Sequence, residues 1–152
     1  NYKYFDIFIG SEMYYEAMCE DLGFDAGEYE KNMNMLREKG CEIVIFTFGG
    51  DGCRGVSGEG YFEIPAISVK VADTTGAGDV FHGAFDYAYL QGMNVTECAR
   101  LATATSAVKC TRPGGRSGIP TIEILKKFME TGEIDYREID ERVAYYKSGI
   151  IS

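Results

Sequence analysis

Apolar residues recur along this chain in two rhythms, one that suits strands and one that suits helices. Phe5-Asp6-Ile7-Phe8-Ile9 is a short apolar run and predicts a buried strand. A helical pattern follows from Glu12 to Asp21. Asp25 and Glu28 have capping-box spacing, and the helix they would open runs to Lys39 and stops at Gly40. Ile43 to Phe48 is continuously β-branched or aromatic, which suits a parallel strand covered on both faces. Gly49-Gly50-Asp51-Gly52 ends it, and Cys53–Ser57 with Tyr61–Ile64 reads as a hairpin turning through Gly58-Glu59-Gly60.

Ile67, Val69 and Val71 then alternate as in a strand. A helix from Asp79 to Gln91 would bury Val80, Ala84, Phe85 and Ala88. Asn94 and Glu97 repeat the capping-box spacing, ahead of a helix whose Ala99, Ala102, Ala104 and Ala107 permit close packing. Arg112 to Gly118 breaks the pattern as a loop. Thr121 caps an amphipathic helix with Ile122, Leu125 and Met129 inward, and the polar tail from Ile134 to Ser152 carries a short helix. No internal repeat or low-complexity run is evident. Helices alternating with buried strands predict an α/β fold with a mainly parallel sheet.

Composition narrows the functions. At 152 residues and 45% hydrophobic content the chain can build one core. Its net charge of −9 and pI near 4.6 argue against broad nucleic-acid binding and against an anionic membrane surface. ATP stays compatible, because local N–H dipoles can hold phosphate on an acidic protein. Cys19, Cys41, Cys53, Cys98 and Cys110 are odd in number and lack C-x-x-C spacing, so reduced, buried thiols are expected. The sequence has no signal peptide and no long apolar run, which predicts a cytoplasmic protein. Asn1 stands where a start methionine would, so the chain is expected to be a piece of something longer.

The densest chemistry lies in Asp73-Thr74-Thr75-Gly76-Ala77-Gly78-Asp79. Glycines at a helix start let free N–H groups and the positive helix end converge on an anion. A strand-to-helix turn could use the same glycines for geometry alone. Asp79 tilts the balance, because a carboxylate beside a phosphate makes sense as an acceptor for a hydroxyl's proton. Plain helix capping would also place an aspartate there. The segment is no Walker A loop, since no Gly-Lys-Ser/Thr follows. Phe81 stands where a dinucleotide fingerprint needs its third glycine, which disfavours a dehydrogenase domain.

Val71 through Phe85 resembles the C-terminal signature of the ribokinase-like (PfkB-type) carbohydrate kinases. Thr47-Phe48-Gly49 with Gly52, and Cys110 through Gly115 with Pro120, resemble two further stretches of that family, in the right order. The resemblance covers about residues 5 to 130 and only the C-terminal half of a typical member. It implies a Rossmann-like three-layer α/β/α fold and phosphorylation of a sugar hydroxyl by Mg-ATP. Asp79 would be the general base, and Gly76, Ala77 and Gly78 the anion hole. Thr47, Gly49, Gly52 and Gly114 would face the nucleotide. Asp73 and Thr75 would line a potassium-type cation site. Residues 1–152 would thus be the nucleotide-binding and catalytic-base part. The sugar-binding half and its lid would lie elsewhere, and that half or a second copy would cover an open sheet edge.

The chain departs from the family where an Asn-x-x-Glu motif is usual. Gly10-Ser11-Glu12-Met13-Tyr14 stands there, so no magnesium ligand is assigned. His82, three residues after Asp79, could form a dyad with it but is better read as a tolerant position. Arg112 and Arg116 read as solvated loop arginines, and Tyr14, Tyr15, Tyr145 and Tyr146 as packing or partner surface. A nucleoside or vitamin kinase, or a non-catalytic relative that binds nucleotide or sugar phosphate, stays open.

Overall fold

The computed structural model describes residues 4–149. Four strands, β1 (Ile7–Ser11), β2 (Ile43–Thr47), β3 (Cys53–Ser57) and β4 (Gly60–Ile64), form one sheet in chain order. Six helices accompany them: α1 (Glu12–Leu22), α2 (Tyr29–Glu38), α3 (Ala77–Leu90), α4 (Val95–Cys110), α5 (Ile122–Thr131) and α6 (Arg137–Gly149). The polar tail's helix is therefore α6, and residues 150–152 of that tail, like Asn1, lie outside the described residues.

The expectation of a mainly parallel sheet is wrong. β1 and β2 pair in parallel, but β2–β3 and β3–β4 are antiparallel. Connection length explains the difference. The segment between β1 and β2 holds α1 and α2, long enough for a parallel crossover. After β2 the chain turns back at once through a 3₁₀ turn over Gly49–Asp51, and so quick a return must be antiparallel. The apolar run of β2 reports coverage of both faces and is silent about direction.

That coverage is real. Ile43 and Ile45 pack on one side against Phe81, Phe85 and Ala88 of α3 and Cys98, Ala99 and Ala102 of α4. Val44 and Phe46, one residue out of phase, pack on the other against Tyr15, Met18 and Cys19 of α1 and Met33 and Leu36 of α2. Three layers, α/β/α, result. Each fully buried side chain of this size contributes roughly 1.5–3 kcal/mol. A third cluster joins Ala104 and Val108 of α4 to Ile124, Leu125 and Phe128 of α5 and Ile139 and Val143 of α6. All five cysteines are buried, and none forms a disulfide.

Local chemistry sets the helix ends. Asn94 and Glu97 form the expected capping box on α4, and Thr121 caps α5. Asp25 and Glu28 do not form one: the Asp25 carboxylate accepts from Gly27 N–H at 2.9 Å, and Glu28 makes no side-chain cap. The buried amide of Asn32 holds that loop instead, donating to Asp25 O at 2.8 Å and Tyr15 Oη at 3.0 Å. Residues 65–71 pair with no strand, and Ile67 and Val71 are exposed, so their alternation marks no strand. α5 buries Ile124 and Phe128 beside Leu125, while Met129 faces out. Ala84 and Ala107 are only half-buried.

Gly52 fixes the return from β2 into β3. Its φ is +92°, and a Cβ would stand 2.0 Å from the carbonyl oxygen of Ile64. Gly49 has φ +52° with open space around a Cβ. We expect Gly49→Ala to cost about 1–2 kcal/mol, the backbone penalty alone. Gly52→Ala should cost more, because the end of β4 must also move. Urea denaturation of both variants checks the order, and equal losses would contradict it.

Candidate active site

Gly76 is the N-cap of α3, with φ +74° and no side-chain cap. A Cβ on it would lie 3.4 Å from both Cα and O of Gly115, so the motif loop and the 112–118 loop touch here. Ala77 N–H donates to Thr74 O at 3.0 Å, and Val80 N–H to Gly76 O at 3.0 Å. The Gly78 and Asp79 amides belong to the first helical turn, which leaves them without carbonyls of their own helix. With the positive end of the helix dipole they favour an anion.

Asp73 ties the two loops together. One carboxylate oxygen accepts from Thr75 N–H at 2.8 Å, the other from Gly114 N–H at 2.7 Å. These two backbone donors, with help from the Thr75 side chain and the Lys109 charge, hold its pKa down at about 2. Lys109, at the end of α4, is fully buried. Its ammonium donates to Asp73 O at 3.1 Å and to Thr75 O. The Ala72 and Asp73 amides both donate to Cys110 O, at 2.7 and 3.2 Å. The approach to α3 is therefore fixed by hydrogen bonds to the end of α4, where strand pairing is absent.

Asp79 is exposed in the first turn of α3 and opens onto a cleft of about 570 Å³. Thr75, Gly76, Gly115 and Arg116 are among its lining residues, with Tyr87, Leu101 and Ile119 as apolar lining. The cleft thus holds a carboxylate acceptor and a guanidinium beside Gly76, whereas Ala77 and Gly78 of the predicted anion hole are not in its lining and the Ala77 amide is taken by Thr74 O.

The other predicted residues fall elsewhere. Thr47 ends β2, where its hydroxyl donates to Gly10 O at 3.4 Å, and Gly49 opens the 3₁₀ turn that Gly52 follows. None of the three lines the cleft. Gly114 is held by Asp73 and neighbours the cleft through Gly115. His82 is exposed and outside the cleft lining. Ser11 caps α1 by accepting from Tyr14 N–H, and no group of three His, Cys, Asp or Glu among the described residues could hold a metal ion. Arg112 is no solvated arginine: it forms a two-pronged pair with Asp140 of α6 and stacks 3.7 Å above the Tyr136 ring. Lys109 escaped the sequence reading. The available signal was a single cation at the end of an otherwise small and apolar helical face.

Asp73 also sets a pH signature. Its folded pKa is depressed from an ordinary 3.8 to about 2, so its stabilising contribution is full above pH 3.8 and is lost as pH falls through 2. Asp73→Asn should therefore lower the melting temperature at neutral pH, and the gap to wild type should close across that acidic window. A gap that stays constant with pH would refute the carboxylate tie.

The sequence model of the "pfkB family carbohydrate kinase" matches residues 2–122. An uncharacterized sugar kinase from Archaeoglobus fulgidus is 41% identical over 93 residues, which are 61% of this chain and 37% of that protein. The crystal structure of a ribokinase from Thermotoga maritima superposes with a TM-score of 0.76 at 34% identity, covering 86% of this chain and 44% of that one. That of a putative ribokinase II from E. coli, in complex with ATP and Mg²⁺, gives 0.73 at 26% identity, covering 82% and 39%. The chain thus spans less than half the length of these relatives. Among the described residues no helix is long and apolar enough to cross a membrane. With its three layers, its glycine loop at the start of α3 and this match over most of its length, the chain belongs to the pfkB family of carbohydrate kinases.

Proposed function

We propose that this chain is the nucleotide-binding and catalytic-base part of a cytoplasmic ATP-dependent kinase that phosphorylates a sugar hydroxyl. The observation that carries the reading is Asp79, exposed at the start of α3 in the cleft that Thr75, Gly76 and Arg116 share. The substrate hydroxyl passes its proton to the Asp79 carboxylate as its oxygen bonds to the γ-phosphorus of ATP. The bond from that phosphorus to the β,γ-bridging oxygen breaks, and ADP leaves with the electron pair. The Gly78 amide of the Gly76–Gly78 loop and the adjoining Asp79 amide oppose the charge on the transferring group. Mg²⁺ bound to the nucleotide would neutralise phosphate charge; among the described residues no group of three His, Cys, Asp or Glu could hold it.

General-base assistance supplies about 10²–10⁴-fold in rate, and positioning and charge stabilisation supply much of the rest. Asp79→Asn in the full-length protein should lower turnover by about that factor and leave ATP affinity nearly unchanged. Unchanged turnover would remove Asp79 from the role. A panel of sugars, nucleosides and vitamins as acceptors, read by ADP release, identifies the alcohol, and a nucleoside preference would replace the sugar reading.

β1 closes one end of the sheet order and pairs only with β2 among the described residues. Phe5 and Met13 beside it are 51% and 77% exposed. Open strand edges recruit partners. The N-terminal sugar-binding half, or a second copy, is the partner this edge fits. Sedimentation of the isolated 152 residues should show self-association that added N-terminal half suppresses. A stable monomer would contradict it.

A further inference from the structure

We propose that the Lys109 ammonium is a built-in monovalent cation for the anion-hole loop, standing where the resemblance implies a potassium-type ion. Lys109 has no exposed surface, and its hydrogen-bond partners are the carbonyl oxygens of Asp73 and Thr75 rather than a carboxylate. A cage of backbone carbonyls is how a protein holds a desolvated monovalent cation. The Asp73 and Thr75 positions are the same two that the family resemblance gives to such an ion, and here both oxygens already face a fixed positive charge. A potassium ion at those oxygens would sit against the ammonium, and like charges at contact repel. The residues present therefore do not fit a potassium site.

The surroundings are closed around the lysine. Gly118 packs on its backbone so tightly that a Cβ there would meet Lys109 O at 2.3 Å. The adjoining Cys110 carbonyl accepts from the Ala72 and Asp73 amides. Asp73 in turn holds Thr75 and Gly114. The ammonium thus sits under the junction of both loops and draws the carbonyls of residues 73 and 75 inward. Lys109 is a positioning residue: it touches the loop that would hold phosphate, and acts on phosphate through it. Tethering the cation to α4 makes the loop's order independent of the salt in which the protein works.

The test reads stability, so it is separate from the kinase reading: a protein without kinase activity can pass it, and an active one can fail it. Melting temperatures of the full-length protein are compared in potassium, sodium and tetramethylammonium chlorides at equal ionic strength. Wild type should melt alike in potassium and tetramethylammonium. Lys109→Ala should melt lower in tetramethylammonium, and potassium, ammonium or ethylammonium should restore most of the loss. Saturable stabilisation of wild type by potassium would overturn the proposal, as would a Lys109→Ala deficit that no small cation relieves. Should Lys109→Ala fail to fold in any salt, the wild-type comparison decides alone, with potassium-independent melting in favour and a saturable potassium shift against.

Discussion

The Asp73 carboxylate accepts from two backbone N–H groups that lie far apart in sequence, Thr75 and Gly114, while its own carbonyl accepts from the buried Lys109 ammonium. The candidate site depends on this knot. No strand leads into α3, because residues 65–71 are unpaired. What aims the helix start at the cleft is the pull of α4 on the segment before it, through Lys109 and the Cys110 carbonyl. Gly76 permits the left-handed turn into α3, and its missing side chain lets Gly115 approach. The Lys109 ammonium is withdrawn from water, where an unmatched charge is costly, whereas the Asp73 carboxylate bonds lie at the surface.

The layers behind the knot supply rigidity. α3 and α4 pack on each other and on the same sheet face through Phe85, Ala88, Ala99 and Ala102. The small residues of α4 allow the close approach. Rotation of α3 would open a gap beneath Phe85, so Asp79 rides on an element that cannot easily turn. α5 and α6 brace the other side of α4, and Arg112 reaches from the 112–118 loop to Asp140 of α6. The loop is thereby held at both ends, by Asp73 at Gly114 and by α6 at Arg112.

Much of this was legible in the sequence where the signal is local. The Asn94–Glu97 box, the Thr121 cap, the hairpin and the glycine loop before Asp79 all depend on residues within a few positions of each other. Direction and register were less legible. The apolar run of β2 announces two covered faces whichever way its neighbours run, and the short return through Gly52 is what makes most of the sheet antiparallel. Asp25 and Glu28 match the capping box by spacing, yet the Asn32 amide draws their loop into another shape. In α5, Ile122, Ile124, Leu125, Phe128 and Met129 offer two apolar stripes, and only the packing partners Val108 and Ile139 select the one with Phe128. Lys109 was the least legible of all, because its partners Asp73 and Thr75 lie on a different element, more than thirty positions earlier.

On the proposed reading these loops present the first-turn amides of α3 to a phosphate. Backbone ¹⁵N–¹H spectra recorded during titration with ATP report on those amides directly. The Gly78 and Asp79 resonances should shift first and furthest, with Gly115 and Arg116 following. Shifts concentrated instead around Gly27 to Lys31, at the depression beside β4, with Gly78 and Asp79 unmoved, would contradict that reading.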